Sequence, residues 1–294
     1  MITVTIDGEK KQYPAGVSYE SIADAYQEKY DGLIGLVAVD GKIKELFKQL
    51  KKDCEISFFT LKDDVGHKTY VRTATMLFLK AVADIFGDAV AQAARVQFAV
   101  KNGTYISAGN DLPGTKENAD KILARMKELQ SQAVPFMKDS YYMDDAMALF
   151  KEKGMKDKER LFRYRRSSMV NLYEIDGYYD YYYGYMLPNA GYVKWFDVIA
   201  YDEGFMLLLP DKKEPTVVKE FMEQKKLFQT LKEAEKWAKE IGLETVGELN
   251  DRICNGSLSD LILVQEAQQE RRIGEIAKDI VSRGNVKFVM IAGP

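Results

Sequence analysis

Histidine is almost absent from this sequence, since His67 is the one histidine in 294 residues. A metal site built from histidine and cysteine needs several such side chains close together, and Ser-His-Asp or Cys-His catalysis would depend on this single residue. The two cysteines, Cys54 and Cys254, lie far apart in the sequence. This spacing excludes a disulfide scaffold and a cysteine-rich zinc site, and it is typical of a protein in a reducing cytoplasm.

Long apolar runs and an excess of basic charge are also lacking. No run of apolar residues approaches the roughly 18 residues that a membrane-spanning helix needs. The chain has 42 lysines and arginines against 45 aspartates and glutamates, which gives a net charge of −3. Nucleic-acid binding would therefore depend on a local basic patch. We expect a cytoplasmic protein with no membrane partner.

The first 62 residues have the pattern of a small β-grasp-like module. Asp7-Gly8 and Asp40-Gly41 each lie between stretches of alternating apolar and polar residues, which predicts two hairpins with type I′ turns. Ser18 can cap a helix over "YESIADAYQEKY", and "CEISFFTL" is typical of a closing strand. Two hairpins, one helix and a closing strand fit such a module.

The stretch from 63 to about 210 predicts a second module of class α+β. A strongly apolar helix over "YVRTATMLFLKAVADIF", from Tyr70 to Phe86, is expected inside the domain, with His67 in the linker before it. A hairpin follows, then a long helix capped by Thr115, and later two strands over "KWFDVIAYDE" and "FMLLLP". The sequence therefore predicts an antiparallel sheet around a central helix. Residues 211–284 are charged and helical, which indicates a helical connector.

The order of these segments resembles a known pair of domains. Residues 1–62, with "ITVTIDG", "LVAVDGKIKEL" and "ISFFTLKDD", resemble the TGS domain at the N-terminus of threonyl-tRNA synthetase. Residues 63–210 resemble the second additional domain of threonyl- and alanyl-tRNA synthetases, which hydrolyses mischarged tRNA. In that region "RTATMLFLKAVADIFG" stands at the family's His-x-x-x-His helix, and "YYDYYYGYMLPNAG" stands at its Cys-x-x-x-His segment.

The resemblance implies a degenerate metal site. With Gly184 and Pro188-Asn189 fixing the alignment, the four metal-ligand positions are occupied by Arg72, Met76, Tyr182 and Met186. Arginine cannot ligate zinc because it stays protonated, and thioether and phenol are poor zinc donors. We therefore expect no metal and no catalytic residue in this chain.

Three groups of residues remain open to a functional or a structural interpretation. The tyrosines around residue 182 could form a pocket that stacks a nucleobase or ribose, or they could be a repacked core. A basic run after residue 156 could contact phosphates, or it could be a solvated connection. His67 could be a general base, or a surface residue of the linker. The candidate pocket residues are Tyr179, Tyr182, Tyr183, Tyr185 and Asn189, and the candidate phosphate contacts are Arg160, Arg163, Arg165 and Arg166.

The last ten residues, "NVKFVMIAGP", suggest an apolar strand that leads into a phosphate-binding loop. Gly293 and Pro294 would be the first two positions of that loop, and residues 285–294 the start of a further domain. Together with the two preceding modules, this resembles the N-terminal half of a bacterial family of uridine or nucleoside kinases.

Two hypotheses for the function follow. In the first, the chain is the non-catalytic, nucleoside- or nucleotide-sensing part of a longer kinase, which would use ATP and Mg²⁺ in its own C-terminal domain. In the second, the chain is a tRNA- or RNA-binding relative of the editing modules. The sequence does not specify the oligomeric state.

Overall fold

The structure, a computed structural model, describes residues 1–290, and these form two compact units. The first unit contains residues 1–156 and 166–234, and the second contains residues 157–165 and the chain from residue 235 onward. The class is α+β, as the sequence predicts. Among residues 1–290, no helix has both the length and the apolar composition needed to span a membrane.

The N-terminal part of the first unit is a five-stranded sheet with the strand order β2-β1-β5-β3-β4. Strands β1 and β5 run parallel, and the other neighbours are antiparallel. Both predicted hairpin turns are confirmed, with positive φ at Asp7, Gly8, Asp40 and Gly41, as a type I′ turn requires. The elements are β1 Ile2–Ile6, β2 Glu9–Tyr13, α1 Tyr19–Asp24, β3 Ile34–Val39, β4 Lys42–Glu45 and β5 Cys54–Thr60.

Helix α2, Asp64–Phe86, is the central element of the first unit, and most of its middle is buried. It begins before the predicted start at Tyr70, so the placement of His67 in a linker is wrong. The first turns look like a linker because Asp63, Asp64 and Lys68 face solvent. Their other side packs closely on the sheet, since a Cβ at Gly66 would overlap the carbonyl oxygen of Thr60.

Two antiparallel sheets accompany α2. One has four strands in the order β11-β12-β7-β6, and the other has three in the order β10-β9-β8. The sequence patterns do not predict strands β8 and β9. Strand β8 (Met137–Tyr142) exposes most of its side chains and so shows no apolar alternation. The remaining elements of the first unit are α3 Asp88–Ala93, β6 Arg95–Val100, β7 Gly103–Ser107, α4 Lys116–Ser131, α5 Met143–Glu152, β9 Met169–Ile175, β10 Tyr178–Asp180, β11 Asp197–Tyr201 and β12 Gly204–Leu208.

The C-terminal part is helical, as predicted. Thr245 and Glu248 form a capping box at the start of the helix Val246–Cys254. The helices are α6 Lys156–Phe162, at the start of the separate 157–165 segment, then α7 Lys225–Glu240, α8 Val246–Cys254 and α9 Leu258–Arg283.

The predicted strand from Val286 to Ile291 is not formed over the residues that the structure describes. Residues 285–290 have no regular secondary structure, and Phe288 is 90% exposed. Gly293 and Pro294, the predicted start of a phosphate-binding loop, lie outside the described residues.

Candidate functional site

The degenerate metal-site positions lie on α2 and on the segment that follows β10. Arg72 and Met76 are one helical turn apart, and the side chains of Met76 and Met186 are fully buried. Thr73 connects the two elements, because its hydroxyl oxygen accepts the backbone N–H of Leu187 at 3.0 Å and lies 3.5 Å from the sulfur of Met186. The segment around residue 186 therefore packs directly on α2, as the alignment requires.

The guanidinium of Arg72 fills the space between α2 and this segment. Its Nη1 donates to the carbonyl oxygen of Tyr185 at 2.6 Å. Gly184 covers the group so closely that a Cβ there would lie 2.6 Å from Cζ of Arg72, and its φ of +136° is one that other residues rarely adopt. Burial lowers the pKa of Arg72, although an arginine stays charged under such conditions. A glycine is thus needed at position 184 for two reasons. Other residues rarely adopt its backbone conformation, and a side chain there would clash with the guanidinium of Arg72.

The side chains at these positions do not fit a zinc ion. A guanidinium has no lone pair to offer, and methionine sulfur and neutral phenol are weak zinc ligands. Burial, together with the nearby negative charge of Asp180, raises the pKa of Tyr182 well above its usual value, so a phenolate is disfavoured. Within residues 1–290, no three histidine, cysteine or carboxylate side chains are grouped so that they could hold a metal ion.

An open pocket of about 340 Å³ lies beside the guanidinium, and we call it the Arg72 pocket. Lys68 and Arg72 are at positions i and i+4 of α2 and carry the same charge. The hydroxyl of Thr75 is engaged by the carbonyl oxygen of Val71 at 2.8 Å. The lining residues are Lys68, Val71, Arg72, Thr75, Val96 and Tyr182.

The five candidate pocket residues are not brought into one pocket. Tyr182 lines the Arg72 pocket, whereas Tyr183 is 88% exposed and Tyr179 lies in β10, with Lys153 Nζ 5.9 Å from its ring centre. Tyr185 contributes its carbonyl oxygen to Arg72. Asn189 faces the N-terminal module, where its Nδ2 donates to Glu20 at 2.9 Å. The five candidate pocket residues therefore lie on several separate surfaces of the first unit.

Three of the four candidate phosphate contacts are engaged with acidic or aromatic groups of the chain. Arg160 pairs with Glu248 at 3.0 Å and also with Asp251. Arg163 lies 3.9 Å from Glu159, and the guanidinium of Arg165 lies over the ring of Phe162. These contacts favour the structural interpretation of the run, while Arg166 is simply exposed.

A buried polar network, which no sequence pattern indicates, joins the N-terminal module to the candidate site. Glu45 at the end of β4 has a side chain only 4% exposed, and its Oε1 accepts Lys138 Nζ at 2.5 Å. The hydroxyl of Tyr173 lies 2.7 Å from the same oxygen and 2.6 Å from the carbonyl oxygen of Gly184. Burial, with the charge of Glu45, raises the pKa of Tyr173, which therefore stays a neutral donor. The network links the loop over Arg72 to the first module.

Comparison with known proteins finds threonine–tRNA ligases. The chain is 27% identical over 210 residues to the enzyme of Symbiobacterium thermophilum, covering 69% of this chain and 32% of the ligase. It is 28% identical over 194 residues to that of Maricaulis maris, covering 65% of this chain and 30% of the ligase. For Acetivibrio thermocellus the values are 23% over 202 residues, covering 68% and 31%. The chain thus spans about a third of the length of these relatives.

The chain is similar in sequence to threonine–tRNA ligases. The similarity matches the predicted TGS and synthetase-like N-terminal region. No family model matches the chain. Nothing in the comparisons supports the uridine-kinase resemblance or its phosphate-binding loop, so the tRNA-related hypothesis is the better supported of the two.

Proposed function

We propose that this chain is a threonyl-tRNA-synthetase-related module that binds tRNA on an editing-type scaffold and leaves the aminoacyl ester intact. The observation that carries the proposal is the guanidinium of Arg72, which fills one former metal-ligand position and lines an open pocket. The relatives are named as threonine–tRNA ligases, which supports tRNA as the partner. The proposal requires no cofactor in this chain.

The absence of hydrolysis follows from the chemistry of the filled site. A metal-dependent hydrolase needs a bound ion to lower the pKa of water and supply hydroxide at neutral pH. Arg72, Met76, Tyr182 and Met186 cannot hold such an ion. Tyr182, whose pKa is raised, is also a poor general base at neutral pH.

Binding is favoured by the charge and shape of the Arg72 pocket. Like charges at positions i and i+4 of a helix repel each other, and a phosphate between Lys68 and Arg72 would relieve that repulsion. One N–H of Arg72 is used by the Tyr185 carbonyl, which leaves other donors of the guanidinium for a ligand. Val71 and Val96 supply apolar surface, and Tyr182 supplies an aromatic ring on which a base can stack.

Reversing the charge of Lys68 is expected to weaken tRNA binding by about tenfold, which corresponds to about 1.4 kcal/mol. Lys68→Glu removes one phosphate contact and places a negative charge beside the bound strand. Fluorescence anisotropy with labelled tRNA at low salt measures the effect, and wild-type affinity should fall as salt rises. Lys68 is exposed, so the fold should be retained.

The matched control is Lys127→Glu on α4, an exposed lysine outside the residues that line the Arg72 pocket. It makes the same change in net charge and should alter affinity little. Equal losses in the two variants would show that binding depends on total charge and not on this pocket. Salt-independent binding would also contradict the proposal.

A further inference from the structure

A second pocket, with a volume of about 480 Å³, lies at the first turns of α2, and we call it the His67 pocket. It is built from α2, the turn between β6 and β7, and the chain that follows β12. Val71 lines both this pocket and the Arg72 pocket, so the two are neighbours. Its volume lies within the range typical of small-molecule sites, about 300–1,000 Å³.

His67 gives this pocket an unused pair of hydrogen-bonding atoms. The side chain is half-buried and has no hydrogen-bond partner among residues 1–290. Burial lowers its pKa, with Asp211 acting in the opposite direction, so the ring is neutral at pH 7. A neutral imidazole offers one donor and one acceptor, which is the pair that the edge of a nucleobase presents.

Asn102 adds a second acceptor to the lining of the pocket. Its Nδ2 donates to the carbonyl oxygen of Lys219 at 2.8 Å, which fixes the amide and leaves Oδ1 for a ligand. Part of the lining is apolar and can cover the faces of a planar ring. The apolar lining residues are Val71, Ala99, Leu209, Pro210 and Met222.

The charges that line the pocket are balanced. Asp211 is occupied, because its carboxylate accepts the backbone N–H groups of Lys213 and Glu214 at 2.8 and 2.9 Å and pairs with Lys219 at 2.7 Å. The other two charged lining residues, Lys101 and Glu220, have opposite signs. A strongly anionic ligand therefore meets no net positive charge, and an uncharged polar ligand is the better match.

From this geometry we infer that the His67 pocket is a binding site for an uncharged nucleoside, whose base edge pairs with His67 and Asn102. Hydrogen bonds specify the base edge, while the apolar wall supplies contact area. The site does not depend on tRNA binding at the Arg72 pocket, and the two can be tested separately.

The single histidine makes the test direct, because a protein labelled at histidine shows one imidazole in its NMR spectrum. Titration with uridine, cytidine, adenosine or guanosine is expected to shift the His67 resonances in a saturable way for at least one of them. The 5′-monophosphate of that nucleoside should bind more weakly. No saturable shift with any of the four at millimolar concentration would overturn the inference, and tighter binding of the monophosphate would overturn the choice of an uncharged ligand.

Two variants of His67 show whether nucleoside binding needs the hydrogen bonds of the imidazole or only the volume of its ring. Calorimetry measures the nucleoside affinity of each variant. His67→Phe keeps a ring but removes both hydrogen-bonding atoms, and should weaken nucleoside binding by about tenfold or more. His67→Gln restores a donor and an acceptor and should recover part of the affinity. His67→Phe should leave tRNA binding unchanged, and Lys68→Glu should leave nucleoside binding unchanged. Wild-type nucleoside affinity in His67→Phe would contradict the assignment.

Discussion

Replacing Lys138 with methionine is expected to lower the free energy of unfolding of the first unit by about 3–5 kcal/mol, because the buried carboxylate of Glu45 would lose its counter-charge. The Glu45 side chain is 4% exposed and that of Lys138 is 16% exposed. Tyr173 can donate to only one acceptor at full strength, and Gly184 competes for its proton. The remaining hydrogen bond therefore cannot replace the ion pair.

The unfolding of the first unit alone in urea can be measured by tryptophan fluorescence. The chain has two tryptophans, and Trp237→Phe leaves Trp195, which belongs to the first unit, as the fluorescent reporter. In that background Lys127→Met, which removes an exposed lysine, should have little effect on stability. Glu45→Gln combined with Lys138→Met should cost less than Lys138→Met alone, since no unpaired charge remains. A loss below about 1 kcal/mol for Lys138→Met would contradict the network, because that is the value of a surface ion pair.

Four substitutions together are expected to create a zinc site at the positions that the resemblance aligns with metal ligands. R72H, M76H, Y182C and M186H would place imidazole and thiolate at the four positions, two of them one turn apart on α2. Removal of the Arg72 guanidinium opens the space, and the contact of Thr73 with Met186 shows that the second segment lies against the helix. Elemental analysis after removal of free metal should find one zinc ion per chain.

The informative control retains Arg72 and carries the other three substitutions. It should bind zinc far more weakly, because a protonated guanidinium stays in the site and cannot act as a ligand. The unaltered chain should hold no zinc. One zinc ion per unaltered chain, lost on Tyr182→Ala or Met186→Ala, would show that the residues of the site have been misinterpreted.

Local sequence signals predicted the turns and helix caps, because these depend mainly on residues close together in the sequence. The Asp-Gly turns are confirmed because they need positive φ at two successive residues, and the caps at Ser18 and Thr115 are confirmed by their hydrogen bonds to Ser21 and Asn118. Strand β8 was missed because its exposed residues give no period of two. The early start of α2 was missed because its first turns carry solvated charges on one face.

The spacing of Gly184 and Pro188-Asn189 predicts that Tyr182 lies near Arg72, and both residues line the Arg72 pocket. The assignment of the four positions to metal ligands stays a prediction. The dispersal of the tyrosines was not predictable, because successive side chains of this irregular segment face different neighbours. The burial of Glu45 could not be inferred either, since a carboxylate that follows two lysines in "KIKEL" looks like part of a solvated edge strand.

The lifetime of the ester bond in a mischarged tRNA, measured while the tRNA is bound, distinguishes a tRNA-binding module from an editing hydrolase. Protein is added at low salt until anisotropy shows that the tRNA is saturated, and the remaining aminoacyl-tRNA is followed over time. We expect binding with an ester lifetime equal to that of the free tRNA. Hydrolysis well above the spontaneous rate, or no binding at all, would contradict it.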